Sequence, residues 1–249
     1  MSAYEALAQS YDRFTNDVPY TAVADFLEQV LAAHDRRAST VLDLACGTGS
    51  LSCLLAQRGY NVIGTDLSEE MLTVAYEKAL NIEGERPMFV RQSMQRLRLP
   101  YTVDLAVCSL DSLNYLTKPE DCRETIRRVF RSLNPGGCFI FDINTPFKLK
   151  GLDGQVFLDE DDEQYCVWRA SFEEEENIIY YGMDIFQRRG EHWLRSFEEH
   201  AEYAYSVQQL TEYLHEAGFS EISIYGDRTL SVPREDELRI YFFAGKDAT

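Results

Sequence analysis

The sequence predicts an α/β fold: a doubly wound, mostly parallel seven-stranded sheet with an antiparallel β insertion after the fifth strand. Three observations predict it. Short apolar runs rich in β-branched and aromatic residues alternate with helical stretches through the first 150 residues, the pattern of parallel strands buried on both faces and joined by right-handed crossovers. The first run ends in a glycine-rich turn, Cys46-Gly47-Thr48-Gly49. After residue 150 the hydrophobic period shifts to two and acidic residues accumulate, so a different module interrupts the alternation before it resumes.

Residues 22–33 place Ala22, Phe26, Leu27, Val30 and Leu31 on one helical face, which makes residues 1–35 a helical lead-in or lid segment. Strands follow at 41–45, 61–66, 87–92, 103–109 and 138–143. The helices between them fall at 49–58, 69–81 and 119–133. Ser68 is the N-cap of the second, with Glu69 and Glu70 in its first turn, where the helix dipole favours acids. Asn134-Pro135-Gly136-Gly137 stops the third. Three antiparallel strands are expected at 164–172, 177–188 and 192–205, with period two visible in Cys166, Trp168, Ala170 and Phe172. A helix at 206–217, ended by Gly218, and strands at 219–225 and 238–245 complete the sheet. The core is therefore 1–150 with 206–249, and 151–205 is an insertion on the substrate side.

With 249 residues, 45% apolar and 27% charged, folding should remove roughly 70–75% of the unfolded chain's surface from water, and no staple is needed. The net charge of −18, from 24 basic and 42 acidic residues, leaves no positive surplus for phosphates, so nucleic acid is not an expected partner. Residues 151–205 hold fifteen acids against four bases, a net −11. The six cysteines form no C-x-x-C pair, which supports neither zinc nor a disulfide framework and predicts a reduced, cytoplasmic protein with no metal. The start lacks a basic, then apolar leader, and no apolar run approaches the ~20 residues of a membrane span. A soluble monomer or homodimer is expected.

The strongest chemical signal is Val41–Ser52, VLDLACGTGSLS. A strand opens through Gly47 and Gly49 into a helix, so backbone N–H groups converge on a ligand and no side chain blocks it. The dinucleotide fingerprint needs a third glycine where Ser52 stands. Asp43 would repel a pyrophosphate beyond the strand but suits a ligand presenting an ammonium and a sulfonium. Asp66 ends the second strand, 17 residues after Gly49, where a doubly wound fold puts the acid that takes both hydroxyls of a ribose. Together they indicate an adenosine-containing cofactor.

DLACGTG (43–49), VIGTDLSEEML (62–72) and RSLNPGGCFIFD (131–142) together resemble a class I S-adenosylmethionine-dependent methyltransferase with a Rossmann-like core. The resemblance covers about residues 1–145 and the terminal strands. YEALAQSYDRFTNDVPY (4–20) and the β-rich insertion resemble a bacterial subgroup of small-molecule enzymes that includes sugar N-methyltransferases. It implies S-adenosylmethionine as cofactor and S-adenosylhomocysteine as product. Ala45, Gly47 and Gly49 would line the methionine moiety with Asp43 near its amino group, Asp66 would hold the ribose, and Leu67 and Met71 would pack near the adenine. Where the family has an acid that reads the adenine edge, this chain has Ser93, followed by Met94. Ser109 would face the methyl group. Tyr4, Tyr11 and Tyr20 would close over the cofactor.

Methyl transfer needs an in-line nucleophile and a general base only if that nucleophile arrives protonated. Asp111, Asn114 and Tyr115 follow the fourth strand, where ligands gather, and are candidates for orienting group or base. His200 is a further candidate on a strand that could roof the pocket. Glu198 and Glu202 flank it at i±2, which predicts a solvated acidic face there. No N-P-P-Y stretch or P-C pair marks a nucleic-acid base enzyme. The expected activity is methyl transfer to a small molecule, with an amine favoured over an anion by the acidic insertion. The alternatives are an RNA or protein methyltransferase, a cofactor-binding protein without turnover, and a nucleotide-binding oxidoreductase.

Overall fold

The computed structural model describes residues 18–248. Helix α1 (Tyr20–Ala33) leads into β1 (Thr40–Leu44), α2 (Ser50–Gln57), β2 (Asn61–Asp66), α3 (Glu69–Ala79), β3 (Met88–Arg91), β4 (Val103–Cys108), α4 (Pro119–Ser132) and β5 (Leu133–Asn144). A short helix, α5 (Pro146–Gly151), precedes β6 (Val156–Glu160), β7 (Gln164–Glu173), β8 (Ile178–Arg189) and β9 (His192–Tyr203). The chain then returns through α6 (Val207–Ala217), β10 (Glu221–Gly226) and β11 (Arg239–Gly245). The main sheet has seven strands in the order β3-β2-β1-β4-β5-β11-β10. β11 runs antiparallel to both neighbours, while the other pairs are parallel. The second sheet, β6-β7-β8-β9, is antiparallel throughout.

Alternating side chains divide the core into two layers, as period two requires of a sheet covered on both faces. Phe139 and Phe141 of β5 join Leu42, Ile126, Val129 and Leu214 on one side, and Cys138 and Ile140 join Phe26, Leu27 and Leu55 on the other. Each fully buried side chain of this size contributes about 1.5–3 kcal/mol. Caps set the helix starts: Ser68 accepts from the Met71 N–H at 3.1 Å, and Ser206 from the Gln209 N–H at 3.1 Å. Gly218 ends α6 with φ 111°, in the left-handed region.

Three features differ from the expected elements. The insertion sheet has a fourth strand, β6, whose five residues are all exposed, so no burial alternation marks it in the sequence. Helix α5 starts on Pro146 and is capped by Thr145, which accepts from the Lys148 N–H at 3.2 Å. Residues 134–137 do not separate helix from strand: Val103 pairs with Leu133 and Leu105 with Cys138, so the turn bulges out within β5.

The insertion is tied to the core along β9. The Asn114 amide donates to the Tyr203 carbonyl at 2.9 Å, the Tyr205 hydroxyl donates to the Leu116 carbonyl, and the Asn144 amide donates to Glu202 at 2.9 Å. Among the described residues no helix is long and apolar enough to cross a membrane.

Candidate active site

Strand order places a topological switch between β1 and β4, where ligands bind at the carboxyl ends of the strands. A cavity of about 530 Å³ opens there, lined by Ala45, Gly47, Asp66, Leu67, Met71, Ser93, Met94, Asp111 and Tyr115, with Gln92, Lys118, Asp121 and Arg239 among the remainder. Its size falls in the range of small-molecule sites. A recess of about 40 Å³ shares Ala45 and Gly47 with it and adds Tyr20, Asp43 and Ser109. A further cavity of about 460 Å³ lies under the insertion sheet, lined by Asn144, Lys148, Trp168, Tyr181, His200 and Glu202. Asp111 and Tyr115 line both large cavities.

The turn after β1 is left-handed at Ala45 (φ 58°), Gly47 (φ 54°) and Gly49 (φ 72°). The two glycines serve different ends. A Cβ on Gly47 would meet no atom within 4 Å, so its missing side chain leaves ligand space. A Cβ on Gly49 would sit 2.8 Å from both the Ala75 Cβ and the Phe89 ring, and Gly49 does not line the cavities; it lets α2 pack on α3 and β3.

Asp66 fixes this turn from β2. Its Oδ2 accepts from the Gly47 N–H and its Oδ1 from the Ser68 N–H, both at 2.9 Å. Burial raises its pKa, opposed by these N–H groups. Asp43, 2% exposed, accepts from the Ser52 hydroxyl at 2.5 Å. Burial pushes its pKa up to about 7 against that hydrogen bond, with Asp66 adding to the rise. The acids fit a cationic, diol-bearing ligand: one faces the recess, the other the larger cavity. Leu67 is 65% exposed at the rim, Met71 is buried in the wall, and Ser93 and Met94 begin a 3₁₀ turn on the far side.

After β4 the backbone is left-handed at two successive non-glycine residues, Leu110 (φ 58°) and Asp111 (φ 52°), an arrangement that needs outside support. Asp142 supplies it. Fully buried, it accepts the Leu110 and Asp111 N–H groups at 2.9 Å each. Arg239 then donates to Asp142, to Asp111 at 2.5 Å and to Asn144 at 3.2 Å. Burial works against the guanidinium, but Asp142 and Asp111 outweigh it and raise its pKa.

The candidate side chains separate here. Asp111, Tyr115 and His200 reach the cavities. Asn114 does not: it is fully buried, donates to the carbonyls of Asn144 and Tyr203, and accepts the Asn144 N–H at 3.1 Å, so the backbone uses its whole amide. The expected solvated acidic face around His200 is overturned. Glu198, His200 and Glu202 are 8%, 5% and 4% exposed, because β9 turns this face inward against Tyr115 and the core. His200 Nε2 lies 3.3 Å from Glu198, and its ring meets Tyr115 edge-on at 6.1 Å. Tyr20 lines the recess, whereas Tyr4 and Tyr11 lie outside the described residues.

Glu202, Arg239, Asp142, Lys148 and Tyr181 are functional candidates that the sequence reading missed. Glu202, Met183 and Phe172 share the inward face through the register of β7, β8 and β9. That alternation was a signal for Glu202; nothing local marks Arg239.

Residues 41–137 match the family model described as a methyltransferase domain. YqeM of Bacillus subtilis (strain 168), whose name assigns it provisionally to the methyltransferases, is 33% identical over 99% of this chain and 98% of its own. A glycine/sarcosine N-methyltransferase of Aphanothece halophytica is 26% identical over 98% of this chain and 89% of that protein. The crystal structure of an S-adenosylmethionine-dependent methyltransferase from Clostridium acetobutylicum ATCC 824 superposes with a TM-score of 0.88 at 31% identity, covering 98% of this chain and 99% of that one.

Proposed function

Because the chain belongs to the class I S-adenosylmethionine-dependent methyltransferases, we propose that it methylates a small molecule seated in the cavity under the insertion sheet. Its cofactor is S-adenosylmethionine. When bound, the cofactor supplies a methyl carbon on a sulfonium that is its own leaving group. The observation that carries the reading is the pair of cavities meeting at Asp111 and Tyr115. One suits the cofactor, and the other, about 460 Å³, suits an acceptor of metabolite size.

In this reading Asp66 accepts the ribose hydroxyls, Ala45 and Gly47 present backbone to the methionine moiety, and Asp43 faces its ammonium across the recess. Leu67 and Met71 flank the adenine, with Ser93 and Met94 at its edge. Ser109 and Tyr20 close the recess. Asp111 and Tyr115 orient the acceptor at the junction, and His200 buttresses Tyr115 from the roof. Most of the rate comes from holding the nucleophile in line and dry, an effect that can reach roughly 7–11 kcal/mol in well-oriented systems. The glycine/sarcosine relative supports a small acceptor, and the net charge of −18 opposes a polyanionic one.

The test is to incubate the protein with methyl-labelled S-adenosylmethionine and a cell extract, then separate products by size. Label in the small-metabolite fraction is expected. Label confined to RNA or protein overturns the proposal.

A further inference from the structure

The cavity under the insertion sheet holds a deeply buried carboxylate that has no ion-pair partner among the described residues. Glu202 projects from β9, 4% exposed, into that cavity. The titratable and polar groups around it come from several elements: Asn144 from β5, Lys148 from α5, Asp159 from β6, Tyr181 from β8, His200 from β9, Asp111 after β4 and Arg239 from β11. The basic groups among them have closer partners of their own, although Lys148 and Arg239 still favour charge on Glu202 from a distance. Arg239 pairs with Asp142 and Asp111, Lys148 donates to the Asn144 side-chain oxygen at 2.8 Å, and His200 lies against Glu198. None of the ion pairs among the described residues uses Glu202, which takes hydrogen bonds from neutral donors, the Asn144 amide at 2.9 Å and the Tyr181 hydroxyl.

Two further observations point to what belongs there. Asp111, at the junction with the cofactor cavity, is close enough to Glu202 to act on it as a like charge, and a cation between two such carboxylates relieves the repulsion. The walls around them are aromatic, with Tyr115, Trp168 and Tyr181 lining the cavity; ring faces of this kind attract a cation within about 6 Å of the centroid.

Building on the proposed small-molecule activity, we propose that the acceptor is a primary or secondary amine that enters as its ammonium, and that Glu202 binds that ammonium and takes its proton. The N–H bond breaks toward the Glu202 oxygen, leaving a neutral amine and a neutral carboxyl group. The nitrogen lone pair forms the new N–C bond as the bond from the methyl carbon to sulfur breaks, with that electron pair staying on sulfur. The methylated nitrogen carries the positive charge away, and Glu202 releases its proton to water when the product leaves. Burial first, and Asp111 second, push the Glu202 pKa up to about 8, which brings its proton affinity near that of an ammonium and suits the exchange.

The experiment is calorimetric titration of the full chain loaded with S-adenosylhomocysteine, at pH 8.5. The probes are benzylamine, ethanolamine and glucosamine, each against its oxygen counterpart: benzyl alcohol, ethylene glycol and glucose. At least one amine should bind tenfold or more tighter than its counterpart. Glu202→Gln should bring the two within twofold, and Glu202→Asp should restore part of the preference. Unchanged S-adenosylhomocysteine affinity shows that the variants are folded. Equal binding of amine and counterpart throughout, no binding by any amine, or a preference that survives Glu202→Gln overturns the inference. Small alcohols methylated in place of amines would sink it while the proposed function stands; failure to bind S-adenosylhomocysteine, or label only in macromolecules, sinks the proposed function itself.

Discussion

Asp66→Asn perturbs the cofactor site at its most constrained atom pair. Both carboxylate oxygens already accept from the protein, Oδ2 from Gly47 and Oδ1 from Ser68. Asparagine keeps one oxygen, and whichever way the amide is turned its NH₂ meets a backbone N–H. A buried donor left without a partner costs about 1–3 kcal/mol, shared between the fold and the shape of the turn. A ribose diol on Asp66 would also lose charge: bonds to ionised groups contribute about 1.5–3 kcal/mol each and are roughly twice as strong as neutral ones. Halving two of them weakens binding by about 1.5–3 kcal/mol, or roughly 10–100-fold in Kd. Asp66→Ala removes both acceptors, and the same arithmetic gives about 10²–10⁴-fold. The assay is isothermal titration with S-adenosylhomocysteine at pH 7.5, with Tm as a control for folding. Affinity for Asp66→Asn within twofold of the parent refutes the reasoning.

Other perturbations separate fold from site. Arg239→Met leaves Asp142 and Asp111 without their cation; breaking a buried pair costs about 3–5 kcal/mol, and Tm should fall by roughly 6–20 °C, so a fall under about 2 °C in thermal denaturation contradicts the clamp. Gly49→Ala should cost about 1–2 kcal/mol for its left-handed backbone and about 1–3 more for overpacking against Ala75 and Phe89, read as a drop in urea midpoint. Gly47→Ala should cost only the backbone strain yet weaken cofactor binding more, and the reverse ranking in calorimetry would show that the glycine roles are misassigned. Asp43 and Glu202, with pKa values of about 7 and about 8 against ordinary values of 3.8 and 4.5, keep protons in the folded chain that the unfolded chain releases. Their contribution to stability is therefore full below about pH 4 and is lost as pH rises through 7 to 8. Glu202→Gln removes the second share, so its Tm should gain on the parent's between pH 5 and 9; a flat or shrinking difference argues against a raised Glu202.

The parallel core was legible because its strands are buried on both faces and therefore almost wholly apolar, as Val103–Cys108 is apart from Asp104. Ser68 marked the start of α3 through a side-chain bond to Met71 that acts within one turn. β6 was not legible, since an edge strand exposed on both faces carries no burial pattern. The turn residues 134–137 bulge from a strand because pairing resumes on either side, which no local rule reports. In the site, the places of Asp43, Gly47 and Asp66 could be read because two successive units, β1 with its glycine turn and the neighbouring β2, position them. Asn114 is close to the candidate site in sequence, yet its amide is consumed by the backbone of β5 and β9. Glu202 was hidden for the opposite reason. An acid at i+2 from His200 looks solvated until the sheet's pairing shows that its face turns inward, and Arg239 reaches Asp111 from 128 residues away.

The most direct test of the two-cavity account is a crystal structure of the protein grown with S-adenosylhomocysteine and an amine that binds it. The account predicts the ribose on Asp66 beside Gly47, and the amine nitrogen under the insertion sheet, between Glu202 and the Asp111–Tyr115 junction. S-adenosylhomocysteine under the insertion sheet, or an amine bound away from that junction, would contradict it.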